Sequence, residues 1–161
     1  MFSGVDVRTG QVKVSKKANS LFSGAIGSCV VVVAIDTKNN IGGIAHVMLP
    51  GKAPEEMRYK TRYAADAVAE LIKKMRRVGA VKKLLKVFIA GGANVLRLKN
   101  CKIGKNNIKS VTKVLQEEGM RVLAENVGGI QRRRIKLDIF NKVLYYAKGD
   151  GKAKVLWEEK V

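Results

Sequence analysis

The feature that most constrains this chain is a pair of apolar segments separated by a short polar turn. Residues 29–35 form an unbroken apolar run dominated by valine, which predicts a strand that is buried on both faces. Residues 36–40 are mostly polar, and residues 41–49 again have the composition of a strand. We therefore predict an antiparallel hairpin that ends at Pro50.

The rest of the chain contains two helical patterns and several short strand-like segments. Apolar residues recur at helical spacing in residues 61–78 and 106–118, and a glycine follows each segment. Strands cluster early and late with the two main helices between them, which favours a sheet-rich α+β sandwich over a regular βαβ repeat. The other predicted strands are residues 11–15, 84–90, 121–125, 135–139, 143–146 and 155–158.

Length and composition indicate one globular domain, residues 1–161, with 47% hydrophobic and 28% charged residues. The longest apolar run is far shorter than the roughly 20 residues that a membrane-spanning helix needs. The N-terminal residues lack the charged and apolar regions of a secretory signal. We expect a cytoplasmic protein without membrane insertion, in which both cysteines are free thiols.

The chain is strongly basic, with 32 Lys and Arg against 13 Asp and Glu and a formal charge of +19. These residues are spread along the chain, with local clusters at residues 73–77, 82–83 and 132–134. Spread charge is typical of a solvated surface, and aromatic residues do not alternate with the basic ones as in a nucleic-acid stacking platform. No nucleic-acid partner is expected, although the charge favours encounter with anionic partners.

A single histidine, His46, limits the catalytic pairs that this chain can form. Cys29 begins the first strand of the predicted hairpin, and His46 lies late in the second, so antiparallel pairing brings them together. An imidazole can activate a thiol and later protonate a leaving amine, which suits acyl chemistry. Cys101 has no second histidine to activate it, and we exclude it from catalysis.

Three further groups are candidates for supporting roles around Cys29. A third polar residue usually orients the imidazole of such a pair, and Ser23 is the best-placed hydroxyl. We expect Gly24 and Gly27 to turn the backbone sharply, so that the N–H groups of Ser28 and Cys29 face a developing oxyanion.

One histidine and two cysteines do not form a zinc-site pattern, and no phosphate-binding glycine motif is present, so no metal and no cofactor are predicted.

Several segments together resemble the bacterial chemoreceptor glutamine deamidases, the CheD family. The most specific are the GSCV sequence around Cys29 and the GGIAHVMLP sequence around His46. The resemblance continues through Tyr63 in the first predicted helix. It then includes AGGA at residues 90–93, IGKN at residues 103–106 and LAENVGG at residues 123–129.

The resemblance implies an activity, a fold and a partner. Family members hydrolyse receptor glutamine side chains to glutamate with a Cys, His and Thr set, which corresponds to Cys29, His46 and, with serine in place of threonine, Ser23. The implied fold is similar to that of the toxin deamidases, and the implied partners are chemotaxis receptor cytoplasmic domains and a CheC-type phosphatase. Two alternatives stay open: a non-catalytic adaptor for the same partners, and a basic nucleic-acid-binding protein.

Overall fold

The strands of this protein form two five-stranded sheets, seen in a computed structural model that describes residues 3–16 and 19–160. The outer sheet has the order β1-β3-β8-β9-β10, and the central sheet has the order β2-β5-β4-β6-β7. The strands of the described residues are β1 (Val5–Asp6), β2 (Val12–Lys16), β3 (Ser20–Ile26), β4 (Val30–Asp36), β5 (Ile41–Val47), β6 (Lys86–Gly91), β7 (Val122–Val127), β8 (Arg133–Asp138), β9 (Val143–Lys148) and β10 (Lys154–Glu158). The α-helices are α1 (Ala64–Arg77) and α2 (Ile103–Glu117).

The predicted hairpin is confirmed and forms the middle of the central sheet. β4 and β5 pair antiparallel, with Val30 opposite Val47 and Val31 opposite His46. Every residue of both strands is buried. β4 is also paired with β6 on its other side, so its valine-rich sequence is covered from all directions.

Two apolar cores explain why β4 has no polar face. One core lies between the two sheets and includes Val31, Ile44 and Leu137. The other lies between the central sheet and the helices and includes Val32 and Leu71. The molecule therefore has three layers, outer sheet, central sheet and helices, which confirms the predicted sheet-rich α+β sandwich.

Helix α1 lies within the predicted segment, whereas α2 begins three residues earlier than predicted, at Ile103. The early start follows from a close approach between Gly104 and the backbone of Gly92. A Cβ atom on Gly104 would collide with the Gly92 carbonyl, so only glycine lets the first turn of α2 lie against this segment. Among the described residues, no helix combines the length and the apolar character that crossing a bilayer requires.

Strand β3, which carries Ser23, was not predicted from the sequence. Ser23 and Gly24 have low strand propensity, and the strand forms through pairing with β8, in which Ser23 lies opposite Ile135. Gly24 lies inside β3, where the register shifts between Ser23 and Ile26, and therefore does not make the sharp turn that we expected of it. The irregularity is a bulge-like distortion of the ladder.

Candidate active site

Cys29 and His46 lie on the same face of the central sheet. Cys29 precedes β4 by one residue, two positions before Val31, which is directly opposite His46. Side chains two residues apart on a strand point to the same side of the sheet. The Cα atoms of diagonal neighbours on paired strands are about 7–8 Å apart. The half-buried Cys29 packs against the core between the sheets, on the side that His46 faces. The predicted juxtaposition therefore follows from the strand register.

The environment of His46 fixes which ring nitrogen can act as a base. The side chain is 2% exposed, and Nδ1 lies 3.0 Å from the carbonyl oxygen of Val7. A carbonyl can only accept, so Nδ1 carries the hydrogen, and in the neutral ring Nε2 has the free lone pair. Within residues 3–16 and 19–160, buried Nε2 has no hydrogen-bond partner. The unshared lone pair lies on the nitrogen that a general base would use.

Burial holds both members of the pair in their neutral forms. Burial lowers the pKa of His46, and the opposing effects of the Val7 hydrogen bond and the Asp6 charge are smaller. Burial likewise raises the pKa of the Cys29 thiol, which hydrogen bonds from Thr9 and from the backbone N–H of Cys29 only partly offset. At neutral pH the pair is a thiol beside a neutral imidazole, rather than a preformed thiolate and imidazolium.

Ser23 reaches the same carbonyl as the histidine. Its buried hydroxyl donates a 2.6 Å hydrogen bond to the Val7 carbonyl oxygen, which also accepts the Nδ1 hydrogen of His46. The N–H of Val7 donates in turn to the carbonyl of Phe22 in β3 at 2.8 Å. Ser23 thus contacts the acceptor that orients the imidazole, and its effect on His46 passes through that carbonyl.

A cavity of about 390 Å³ opens beside His46, between the segment that precedes β2 and the distorted end of β3. Thr9 is part of its wall, and the side chain of Thr9 also acts to lower the pKa of the Cys29 thiol. The cavity is lined by Asp6, Val7, Arg8, Thr9, Gly24, Ala25 and His46.

Sequence reasoning did not identify residues 6–9 as part of the site. The signal that could have found them is the predicted strand at residues 11–15, which pairs with β5 in the structure. The N–H of Gly10 donates to the carbonyl of His46, so a β2–β5 pairing places Thr9 next to the histidine. The sequence predicted this strand without its partner.

The loop of residues 27–29, which carries the candidate nucleophile Cys29 and is called the nucleophile loop below, is held through its carbonyl groups. Gly92 N–H donates to the Cys29 carbonyl at 2.7 Å, and Ala93 N–H donates to the Gly27 carbonyl at 3.0 Å. In the described part of the chain, neither Ser28 nor Cys29 donates its N–H to another residue in the backbone hydrogen bonds that fix this loop. Gly91 has a φ of +114°, and any Cβ there would collide with the Cys29 carbonyl, so this contact requires glycine.

Cys101 lies in the loop that precedes α2. Its backbone N–H donates to the Leu98 carbonyl at 3.4 Å, and its side chain is partly exposed. It provides a second free thiol with which Cys29 can be compared.

Comparison with known proteins connects this arrangement to one family. Residues 48–148 match the family model described as CheD chemotactic sensory transduction. A protein of Chlorobium luteolum named "Probable chemoreceptor glutamine deamidase CheD" is 32% identical over 93% of this chain and 75% of its own length. The "Chemoreceptor glutamine deamidase CheD" of Thermotoga maritima is 34% identical over 81% of this chain and 82% of its own. This chain belongs to the CheD family.

Proposed function

We propose that this protein hydrolyses glutamine side chains on the cytoplasmic domains of chemotaxis receptors, giving glutamate and ammonia. The observation that carries the proposal is the unshared Nε2 of His46 on the same sheet face as the Cys29 thiol. The names of the relatives supply the substrate class, because they are called chemoreceptor glutamine deamidases. A cytoplasmic location is part of the proposal, since the receptor segments concerned are cytoplasmic.

In the first half of the reaction, the Cys29 sulfur attacks the carboxamide carbon while Nε2 of His46 takes the thiol proton. The carbonyl oxygen becomes an oxyanion, which the backbone N–H groups of Ser28 and Cys29 stabilise. The carbon–nitrogen bond then breaks as the imidazolium protonates the leaving nitrogen, and ammonia departs. The product is a thioester between Cys29 and the former glutamine side chain.

In the second half, a water molecule attacks the thioester carbon while Nε2 accepts one of its protons. The carbon–sulfur bond breaks, the sulfur recovers a proton from the imidazolium, and the side chain is released as glutamate. Ser23 contributes by fixing the Val7 carbonyl, which keeps the hydrogen on Nδ1 and the lone pair on Nε2. No cofactor takes part in either half.

Exposed apolar residues near the nucleophile loop support a role in docking a protein substrate. Leu96 is 77% exposed and Leu98 is 54% exposed, in the segment that follows the Gly92 and Ala93 contacts with that loop. Ile130 is also exposed, next to Gly129, whose carbonyl accepts from Asn94 N–H at 2.9 Å. We propose that receptors bind here, and that a CheC-type phosphatase uses the same surface.

The deciding experiment incubates the full protein with receptor cytoplasmic fragments and measures ammonia together with intact receptor mass. Ammonia release matched by conversion of amide to acid is the expected result. Receptor binding without conversion would support the adaptor alternative. Retention of a DNA duplex with steep salt dependence, unchanged in Cys29→Ala, would support the nucleic-acid alternative instead.

A further inference from the structure

Asn107, in the second turn of α2, connects the two halves of the candidate site. The residue is fully buried. Its Nδ2 lies 2.9 Å from the carbonyl oxygen of Ser28 and 3.0 Å from the carbonyl oxygen of Met48. Ser28 immediately precedes the nucleophile, and Met48 is two residues after His46. A single side chain therefore joins the nucleophile loop to the segment that follows β5.

The chemistry of these contacts requires a neutral amide. Two carbonyl oxygens can only accept, and the NH₂ group of asparagine has two hydrogens, one for each carbonyl. Aspartate has nearly the same shape but, when ionised, has no hydrogen to donate. The two contacts thus depend on a donor pair, and packing volume alone does not provide them.

Helix α2 is firmly seated where it presents this amide. The close approach of Gly104 to Gly92 sets the height of its first turn above the nucleophile loop. One turn beyond Asn107, the Ser110 hydroxyl accepts a 2.7 Å hydrogen bond from the N–H of Gly51, just after the end of the hairpin. The helix is therefore attached to both segments whose relative position determines the Cys29–His46 geometry.

We infer that Asn107 is a positioning residue for the Cys29–His46 pair. It holds the main chain before the thiol at a fixed distance from the main chain after the imidazole, and it does not touch the reacting atoms. The inference rests on the proposed function for its catalytic consequence. Its structural part, control of the thiol environment, can be measured without a substrate.

The test compares Asn107→Asp with Val111→Ala, a variant of another buried residue of α2 that lies in the helix-side core. We expect Asn107→Asp to lower kcat for receptor deamidation by about 10²-fold with little change in KM, because small misplacement of reacting groups has effects of that size. Val111→Ala should lower Tm and leave kcat, measured well below Tm, within a few-fold of wild type. If Asn107→Asp does not fold, Asn107→Ser, which offers one donor at most, is measured in its place.

Iodoacetamide labelling separates this inference from the proposed function. The quantity measured is the labelling rate of Cys29 divided by that of Cys101 in the same molecule. This ratio and its dependence on pH should change in the Asn107 variant and not in Val111→Ala. A changed ratio in a protein that never deamidates receptors would retain the positioning role and reject the proposed function. An unchanged ratio and an unchanged kcat in the folded Asn107 variant would overturn the inference.

Discussion

At the residue scale, the site depends on two neutral groups that burial prevents from ionising. A lowered pKa keeps His46 unprotonated, and able to act as a base, to a lower pH than an ordinary imidazole. A raised pKa keeps the Cys29 thiol protonated to a higher pH than an ordinary thiol. In the proposed mechanism, His46 therefore removes the thiol proton during attack, because Cys29 is a thiol and not a thiolate at neutral pH.

This arrangement predicts a specific pH dependence. In a plot of kcat/KM against pH, the loss of activity on the acid side should have its midpoint below the ordinary histidine pKa of about 6.5. Activity should therefore remain level from neutral pH down to about that value. Iodoacetamide labelling of Cys29 should be slow at pH 7 and should become faster in the alkaline range, and Cys101 of the same molecule serves as the reference. Fast labelling of Cys29 with a plateau near neutral pH would reveal a preformed thiolate and contradict this assignment.

The proposed role of Ser23 can be tested separately because Ser23 and His46 share the Val7 carbonyl. Removing its hydroxyl in Ser23→Ala leaves the Nδ1 hydrogen bond in place, so we expect kcat to fall roughly tenfold, the equivalent of about one hydrogen bond. Ser23→Thr retains the donor and should keep most of the activity. Initial rates of ammonia release provide the measurement. A loss in Ser23→Ala as large as that in His46→Ala would place Ser23 in direct contact with the reaction.

The residues that the sequence did not reveal share one property: only the fold brings them to the candidate site. Cys29 and His46 could be predicted because their side-chain types are scarce and their chemistry is distinctive. Thr9 and Asn107 could not, since a threonine before a turn or an asparagine on a helix is common in any protein. Their importance arises from carbonyl groups and strand partners that only the folded chain brings near.

At the element scale, Asp36 stabilises the turn of the central hairpin. Its carboxylate accepts from the Asn39 side chain at 2.8 Å and from the Val81 N–H at 3.0 Å, which connects the hairpin to the segment after α1. Burial raises the pKa of Asp36, but the hydrogen bonds from Asn39, Val81 and Lys38 lower it by more, so its net pKa is below the ordinary value. The ionised form is therefore the one that the fold stabilises.

The shift predicts a stability difference that depends on pH. Asp36→Ala should lower the free energy of unfolding at pH 7 by about 2–3 kcal/mol, because several N–H groups lose a charged acceptor. A depressed folded-state pKa contributes stability above the unfolded value of about 3.9, and this contribution is lost as pH falls through the folded-state pKa. Urea denaturation of wild type and Asp36→Ala from pH 7 to pH 3 should show that the difference between their free energies of unfolding becomes smaller as the pH falls. A gap that stays constant would contradict the assigned shift.

Two element-scale differences from the sequence prediction have physical causes. β3 is rich in small residues and becomes a strand only because β8 pairs with it, which local composition cannot indicate. The basic cluster at residues 132–134 reads as surface, yet Arg133 is 3% exposed and donates to the carbonyls of Gly128 and Gln131 and to the Asn126 side chain. A guanidinium has enough donors to satisfy a buried turn, so its charge alone does not predict exposure.

At the scale of the whole molecule, the sequence predicted a layered sandwich. It did not predict which strands form each layer. A valine-rich strand buried on both faces requires a cover on each side, and the two amphipathic helices supply one of them. The other cover is the outer sheet, which includes the unpredicted β1 and β3. The candidate site lies on the side of the central sheet that faces the outer sheet. Its walls therefore include parts of β1 and β3, which the sequence did not predict.

The net charge of +19 should affect how the protein meets an anionic substrate. If receptor fragments with acidic surfaces are the substrate, we expect the association rate constant to fall by about tenfold or more as salt rises from low to high concentration. The dissociation rate should change much less, because steering acts on the encounter. Stopped-flow association measurements provide the test. An association rate independent of salt would reject charge steering.

The most direct test of the central claim compares the two cysteines of the same chain. Receptor fragments are incubated with wild type, Cys29→Ala and Cys101→Ala, each first shown to be folded, and glutamate formation is measured by mass spectrometry. We predict conversion by wild type and Cys101→Ala at similar rates, and none by Cys29→Ala. Undiminished conversion by Cys29→Ala would contradict the assignment of Cys29 as nucleophile.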